Sequence, residues 1–412
     1  MDIRPRPPGS YIGELPDMYK IPHLATSITA FVGRAPLGPV DEVLTCFSFG
    51  DFELHYGGLS LNCPMSYAVR DFFNQGGSQA VICRLYEPGP GSAQSGGEGP
   101  LLTVPTYLGD RDRKTGIYLL EKIPTFNLLC IPPDQRLLDT TPVAQQDLDN
   151  RIRRAAAAYC VERQAIFIAD PPAIWESRLT QGNIAAIAPT DLGITGESAA
   201  YIQAEQNVAV YFPRVIAADP LLNNSRCLFP ACGMIAGVIA AMDLSSGVWT
   251  SPAGIKAVLQ GIVKLAVDIS DAQNGELNKV GINCLRSFPV VGTVVWGART
   301  LCLDGEYKYL AVRRLTLFME SSIYEMTQWT VSESNDASLW SRVCMSVNSY
   351  LAELAYQGAF YNYRVSCDAS TMTRDDIEAG RLIILVQFAP VYPHEFIAFT
   401  VERTVKGAGK QD

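Results

Sequence analysis

Apolar residues recur along this chain at two spacings, one of three to four and one of two, and each predicts a different element. Residues 308–326 carry Val312, Leu315, Met319 and Ile323 on one helical stripe. Residues 338–358 repeat Leu339, Val343, Val347, Leu351 and Leu354 at the same spacing. A third helix is predicted over 64–74, where Met65, Ala68, Val69, Phe72 and Phe73 share a face. Pro64 suits its first turn, and Gly76 and Gly77 suit its stop. Short apolar runs at 26–33, 79–85, 126–131, 165–169 and 208–212 read as strands. Between and after the later ones lie helical stretches: 148–163 with its alanine run, 198–206, and the apolar, glycine-containing 230–242. Strands alternating with helices imply a mainly parallel sheet covered on both faces, an α/β fold.

Further strand signals fall at 281–284, 290–296, 298–303 and 382–388. The two ends differ from everything between them. Pro5, Pro7, Pro8, Pro16 and Pro22 forbid a long helix in the first 25 residues. Within that arm, 10–15 forms a short strand signal with Tyr11 and Ile12 on opposite faces, continuing through Glu14 and Leu15. At the other end, 396–405 is strand-prone through Phe396, Ile397, Phe399, Val401 and Val405. Ten extended residues span about 33 Å, far enough to reach a neighbouring molecule. Two readings stand: these strands complete another subunit's sheet by main-chain pairing, or they fold back at home. Residues 88–100 are nearly all Gly, Pro and Ser, the strongest candidate boundary or exposed loop.

Composition narrows the function classes. A chain of 412 residues, 48% hydrophobic, supports two or three domains. No run is long and apolar enough for a membrane span, so no direct membrane insertion is expected. The first residues lack the apolar stretch of a secretory signal, which implies synthesis in the cytoplasm. A net charge of −9 argues against a phosphate-binding surface and hence against nucleic acid as a direct partner. None of the 11 cysteines forms a Cys-x-x-Cys pair; Cys46, Cys83, Cys130 and Cys344 sit among apolar residues. Reduced, structural thiols are expected.

Candidate chemistry is sparse. His23, His55 and His394 are the three histidines, and none lies near a Gly-x-Ser-x-Gly nucleophile turn. The glycines of 89–99 lack the lysine and the spacing of a phosphate loop. Asp375, Asp376 and Glu378 have the residue types of a cation site, yet Thr373 three residues before Asp376 is also an ordinary helix-start pattern. The run 110–114 reads as a solvated charged loop, and Arg313 and Arg314 as the polar edge of a helix or a charge contact to another subunit. No catalytic residue, cofactor or metal is expected.

Taken in order, several blocks resemble the contractile tail sheath family. They are 8–15 (Pro-Gly-Ser-Tyr-Ile-Gly-Glu-Leu), 26–39, 52–60, 67–77 (Tyr-Ala-Val-Arg-Asp-Phe-Phe-Asn-Gln-Gly-Gly) and 247–254 (Gly-Val-Trp-Thr-Ser-Pro-Ala-Gly). Residues 309–314, 320–323, 327–329, 376–381 and 393–396 complete the match over nearly the whole chain. Members occur in myophage tails, R-type pyocins, type VI secretion systems and extracellular injection systems. The resemblance implies an α+β inner domain made from both ends of the chain and an inserted, subtilisin-like α/β outer domain, a name that carries no protease activity. On that pattern 1–25 and 394–412 are linking arms, 26–87 and 261–393 the inner domain, 88–100 a loop and 101–260 the insertion.

The same resemblance implies a homo-oligomer, a helical stack of rings around an inner tube protein, with baseplate and terminal cap proteins at its ends. Contraction between two packings would drive the tube, without fuel. The arm strands would be Tyr11, Ile12, Glu14 and Leu15 with Phe396, Ile397, Phe399, Val401 and Val405. Arg342 and Glu353, on the helix 338–358, are nominated for tube contact; that helix packing only on its own core is the competing reading. A different self-assembling phage or shell protein, and a hydrolase built on the middle domain, remain open on the residues alone.

Overall fold

The computed structural model describes residues 24–87, 97–135 and 147–393. The strands expected at 10–15 and 396–405, and most of the loop at 88–100, lie outside the described residues. In chain order the first strands are β1 (Thr29–Gly33), β2 (Val43–Cys46), β3 (Ala80–Arg84), β4 (Leu128–Cys130), β5 (Ile166–Ala169) and β6 (Val208–Phe212). There follow β7 (Val215–Asp219), β8 (Ser225–Phe229), β9 (Ile262–Leu265), β10 (Ile282–Phe288), β11 (Gly292–Val295), β12 (Phe360–Ser366) and β13 (Leu385–Pro390). The helices begin with α1 (Phe49–Tyr56), α2 (Pro64–Asn74), α3 (Val104–Leu108), α4 (Asn150–Glu162), α5 (Ile174–Thr180) and α6 (Ala199–Gln206). The rest are α7 (Cys232–Ser246), α8 (Asp271–Lys279), α9 (Leu310–Thr327), α10 (Ala337–Tyr356) and α11 (Arg374–Glu378).

One sheet organises most of the chain, in the order β11-β10-β6-β5-β4-β1-β3-β2. Its inner strands run parallel; β2 and β11 close the two edges antiparallel. Alternation along β1 shows why the strands read as continuous apolar runs. Phe31 faces a core shared with α2 and α7, while Ala30 and Val32 face the opposite core, which holds α4 and the fully buried Trp175. Both faces are covered, as the strand–helix alternation predicted. Helices α2 and α7 approach closely because α7 presents Gly233 and Gly237 on one face: a Cβ at either would lie 2.2 Å from the Ala68 carbonyl oxygen or 2.4 Å from that of Phe72.

The structure departs from the sequence reading in several places. Residues 298–303 are no strand; Arg299 makes an isolated pairing with Tyr309. A three-stranded antiparallel sheet, β8-β7-β9, was not anticipated. The packing also draws its lines differently from the loop composition. β1 and β3 lie beside β4 in the same sheet, and β10 lies beside β6, so neither 88–100 nor residue 260 separates one core from another. Parallel neighbours require crossovers, so sheet order need not follow chain order and a flexible loop need not mark a domain edge. A second body begins after residue 303, where α9, α10 and the antiparallel pair β12–β13 enclose a core of their own.

Candidate functional site

The pair β12–β13 is a sheet of two strands, with Tyr363 opposite Phe388 and Val365 opposite Val386. Two strands are marginal alone. They are held because Phe360, Val365, Val386 and Phe388 pack toward α10, leaving Tyr361 (78% exposed) and Leu385 (47%) on the outer side. Each strand has one partner among the described residues, so both outer edges present unpaired backbone groups, a template for strand addition. Sequence reasoning anticipated β13 and missed β12, although its Phe-Tyr-Asn-Tyr-Arg-Val-Ser is rich in strand formers.

Helix α10 starts at Asp336, whose carboxylate accepts from the Ser338 and Leu339 amides at 2.9 and 3.0 Å. Its stripe of Leu339, Val343, Val347, Leu351 and Leu354 is buried in the second core, so that face packs at home. The opposite face is bare and carries Met345 (65% exposed) and Tyr356 (94%). Arg342 and Glu353 lie on one flank between these faces, about 16 Å apart along the axis. Arg342 pairs with Glu333 at 2.8 Å, its guanidinium 5.0 Å from the Trp329 ring centre, while Glu353 is exposed.

The seam between the two bodies is bridged by α9. Arg314, expected at a polar helix edge or at another subunit, is buried and grips Asp243 of α7 through two bonds, at 2.8 and 2.5 Å. It also donates to the Thr26 carbonyl at 3.0 Å, and the Thr26 hydroxyl donates to Asp243 at 2.7 Å. Arg313 likewise turns inward, to Asn207 at 2.9 Å. Leu24, Ala25 and Thr26 therefore enter the fold at a clamped point, beside a cavity of about 290 Å³ under α9. The nominated arm residues Tyr11, Ile12, Glu14, Leu15, Phe396, Ile397, Phe399, Val401 and Val405 lie outside the described residues.

The remaining polar candidates have structural explanations. Thr373 and Asp376 form a reciprocal cap at the start of α11, the plain helix-start pattern. Arg111 of the charged run pairs with Glu121 at 2.9 Å and with Glu162. His55 lies exposed in the last turn of α1. The cysteines are unpaired and nine of them are buried; burial pushes the Cys83 and Cys284 thiols up to about 12, which suits packing rather than reactivity. Among the described residues no group of three or more His, Cys, Asp or Glu is placed to hold a metal ion, and no helix is long and apolar enough to cross a membrane.

Comparison with known proteins agrees with this architecture. Residues 144–301 match the phage tail sheath protein central domain and 304–404 the phage tail sheath C-terminal domain, a division that falls where the second core begins. The tail sheath protein of Vibrio phage KVP40 is 28% identical over 184 residues, 44% of this chain and 27% of the relative. That of Burkholderia phage BcepMu is 27% identical over 204 residues, 48% of this chain and 43% of the relative. The matched stretch thus spans less than half the length of either relative. Among solved structures, the anti-feeding prophage helical sheath in its contracted state superposes with a TM-score of 0.68 at 27% identity, covering 96% of this chain and 99% of that one. A sheath complex of an extracellular contractile injection system, also contracted, shares the fold with a TM-score of 0.69 at 24% identity, over 98% and 99%. The chain belongs to the contractile phage tail sheath family, a family of structural proteins rather than enzymes.

Proposed function

We propose that this chain polymerises as a helical stack of rings around an inner tube protein and shortens on triggering, driving the tube through a target membrane. The observation that carries this reading is the β12–β13 pair. It is a two-stranded sheet with both edges unpaired among the described residues, in a chain whose two terminal sequences are strand-prone. Residues 11–15 and 396–405 are the strands that would add to the edges of neighbouring copies. Backbone pairing holds subunits together while they reorient as bodies, and the difference between two packings supplies the work, so no nucleotide site is called for.

In this arrangement the body from residue 304 onward, with the two arms, faces the tube, and the large sheet faces outward. Arg342 and Glu353 flank the bare face of α10 and are the residues proposed for tube contact. Baseplate and terminal cap proteins meet the ends of the stack. Assembly takes place in the cytoplasm, and the finished object is a virion tail or a tail-like particle.

The test is to express the full chain alone and image it by negative-stain electron microscopy. Hollow striated tubes are expected. Deleting 1–20 or 394–412 is expected to leave a folded monomer with an unchanged circular dichroism spectrum and no tubes. Normal tubes from either truncation overturn strand exchange for that end.

A further inference from the structure

The sheet β8-β7-β9 has one face on the core and one in solvent. Val215, Phe229 and Leu265 stand side by side across its three strands and are buried in the core shared with α2 and α7. The next rung sets Ile216 between Leu228 and Lys264, and further along β7 Ala218 stands opposite Arg226. Alternation turns this second set outward: Ile216, Ala218 and Leu228 are half-buried, Arg226 and Lys264 exposed. The one acid in these strands, Asp219, goes the other way; it is fully buried and accepts from the Tyr67 hydroxyl at 3.0 Å. Neither Arg226 nor Lys264 pairs with an acid among the described residues. In a chain of net charge −9 this cationic face is an exception.

A second face has the opposite sign. Helix α1 buries Phe52 and Tyr56 and turns Glu53 and Leu54 to solvent, Leu54 at 79% exposure. Leu37, half of it exposed, folds over the end of α1: its amide donates to the Tyr56 carbonyl at 3.0 Å, and a Cβ on Gly57 would lie 3.1 Å from its side chain. Glu42 is exposed and leads into β2, the strand beside α1. Neither Glu42 nor Glu53 pairs with a cation among the described residues. Each face thus has the make-up of half an interface, a small apolar centre with uncompensated charge of one sign around it. Both are seated on α2: α1 packs against it, and its Tyr67 ring lies 5.2 Å from that of Phe229. They are fixed relative to one another, and their charges do not meet within one copy.

We propose that the two faces dock on each other between copies, the Arg226–Lys264 face of one chain against the Glu42–Glu53 face of the next. This rests on the sheath reading, which supplies a second copy as the partner. The patches differ, so the contact is head-to-tail and does not close after two copies; repeated, it builds a ring or a helical filament. Both faces lie in the large-sheet body, apart from α10 and β12–β13. The contact therefore acts beside strand exchange, and it sets which surfaces of neighbouring large-sheet bodies meet.

The test combines charge reversal with a zero-length cross-link, both in the full-length chain. Arg226→Glu with Lys264→Glu is expected to leave the circular dichroism spectrum unchanged and to raise the concentration needed for tubes at least about tenfold, because like charges then face one another. Glu42→Lys with Glu53→Lys is expected to do the same, and all four changes together to restore tubes at the wild-type concentration. Unchanged tubes from either double variant, or no recovery in the fourfold variant, overturn the proposal. A carbodiimide joins carboxylates to amines in contact, and is expected to link Lys264 of an isotope-labelled copy to Glu42 or Glu53 of an unlabelled one. That readout does not need tubes. The link without tubes keeps the contact and removes the sheath reading; wild-type tubes without the link remove the contact and leave the sheath reading; neither tubes nor link removes both.

Discussion

Asp170 stands at the end of β5, where the chain leaves the sheet, and faces the first turn of α7. One carboxylate oxygen accepts from the Ala231 and Cys232 amides at 2.9 and 3.0 Å, as helix starts favour. The other oxygen is buried and makes no hydrogen bond of ordinary geometry. Burial outweighs the Cys232 thiol, the two amides and the nearby Arg153, and pushes the acid up to about 6 from an ordinary 3.8. The folded state therefore keeps this proton at pH values where the unfolded chain has lost it. That contribution to stability is complete below about pH 4 and disappears as pH rises through about 6. Asp170→Asn keeps the amide acceptor and removes the ionisation. Relative to wild type it is expected to gain on the order of 3 kcal/mol between pH 4 and pH 7, read as the difference in urea unfolding free energies. A difference that stays flat across that range would mean the carboxyl is not the titrating group.

Among elements, the closest contact is α2 against α7. Gly233 and Gly237 let the helices meet at backbone distance, and a methyl there strikes carbonyl oxygens rather than a side chain that can swing away. Gly233→Ala gains helix propensity of about 1 kcal/mol but must separate the helices, an overpacking cost of about 1–3 kcal/mol. The net expected result is a lower melting temperature with secondary structure retained; a higher one would show that the helices part easily. This contact also marks what was legible in the sequence. The stripe of 64–74 and the apolar run at 230–242 predicted both helices, but nothing in them said that they touch across 160 residues of chain. The helices expected at 308–326 and 338–358 were found as Leu310–Thr327 and Ala337–Tyr356 because one strong face decides such elements. Short, half-exposed elements were lost instead. Helix α8 buries Leu277 alone, and in the β7–β8 hairpin the cue was the Asn223-Asn224 turn, both residues at positive φ, beside the short apolar run at 215–218. The candidate surface was half legible in the same way. β13 was read from its sequence, whereas the open edges belong to its pairing with β12 and appear only in three dimensions.

For the whole molecule the question is whether two bodies respond as one. Helix α9 belongs to both: Leu310 and Leu317 pack in a core of the large sheet, while Leu315, Met319 and Met326 pack in the second core. The buried Arg314–Asp243 pair, at 3% and 4% side-chain exposure, pins the same helix to α7 and to the chain at Thr26. A hinge at the seam would have to break an 18-residue helix or strand two charges in a dry interior. A subunit that reorients during contraction is therefore expected to move as one piece from residue 24 to 393, with the change confined to the arms. Calorimetry of the monomer is expected to show a single transition for wild type. Arg314→Met leaves Asp243 buried without its cation, at a cost of about 3–5 kcal/mol, and is expected to split off an earlier transition. Hydrogen exchange should assign that transition to α10 and β12–β13. If the wild type already melts in two steps, the bodies are only loosely joined, and the seam itself becomes the place where the sheath bends.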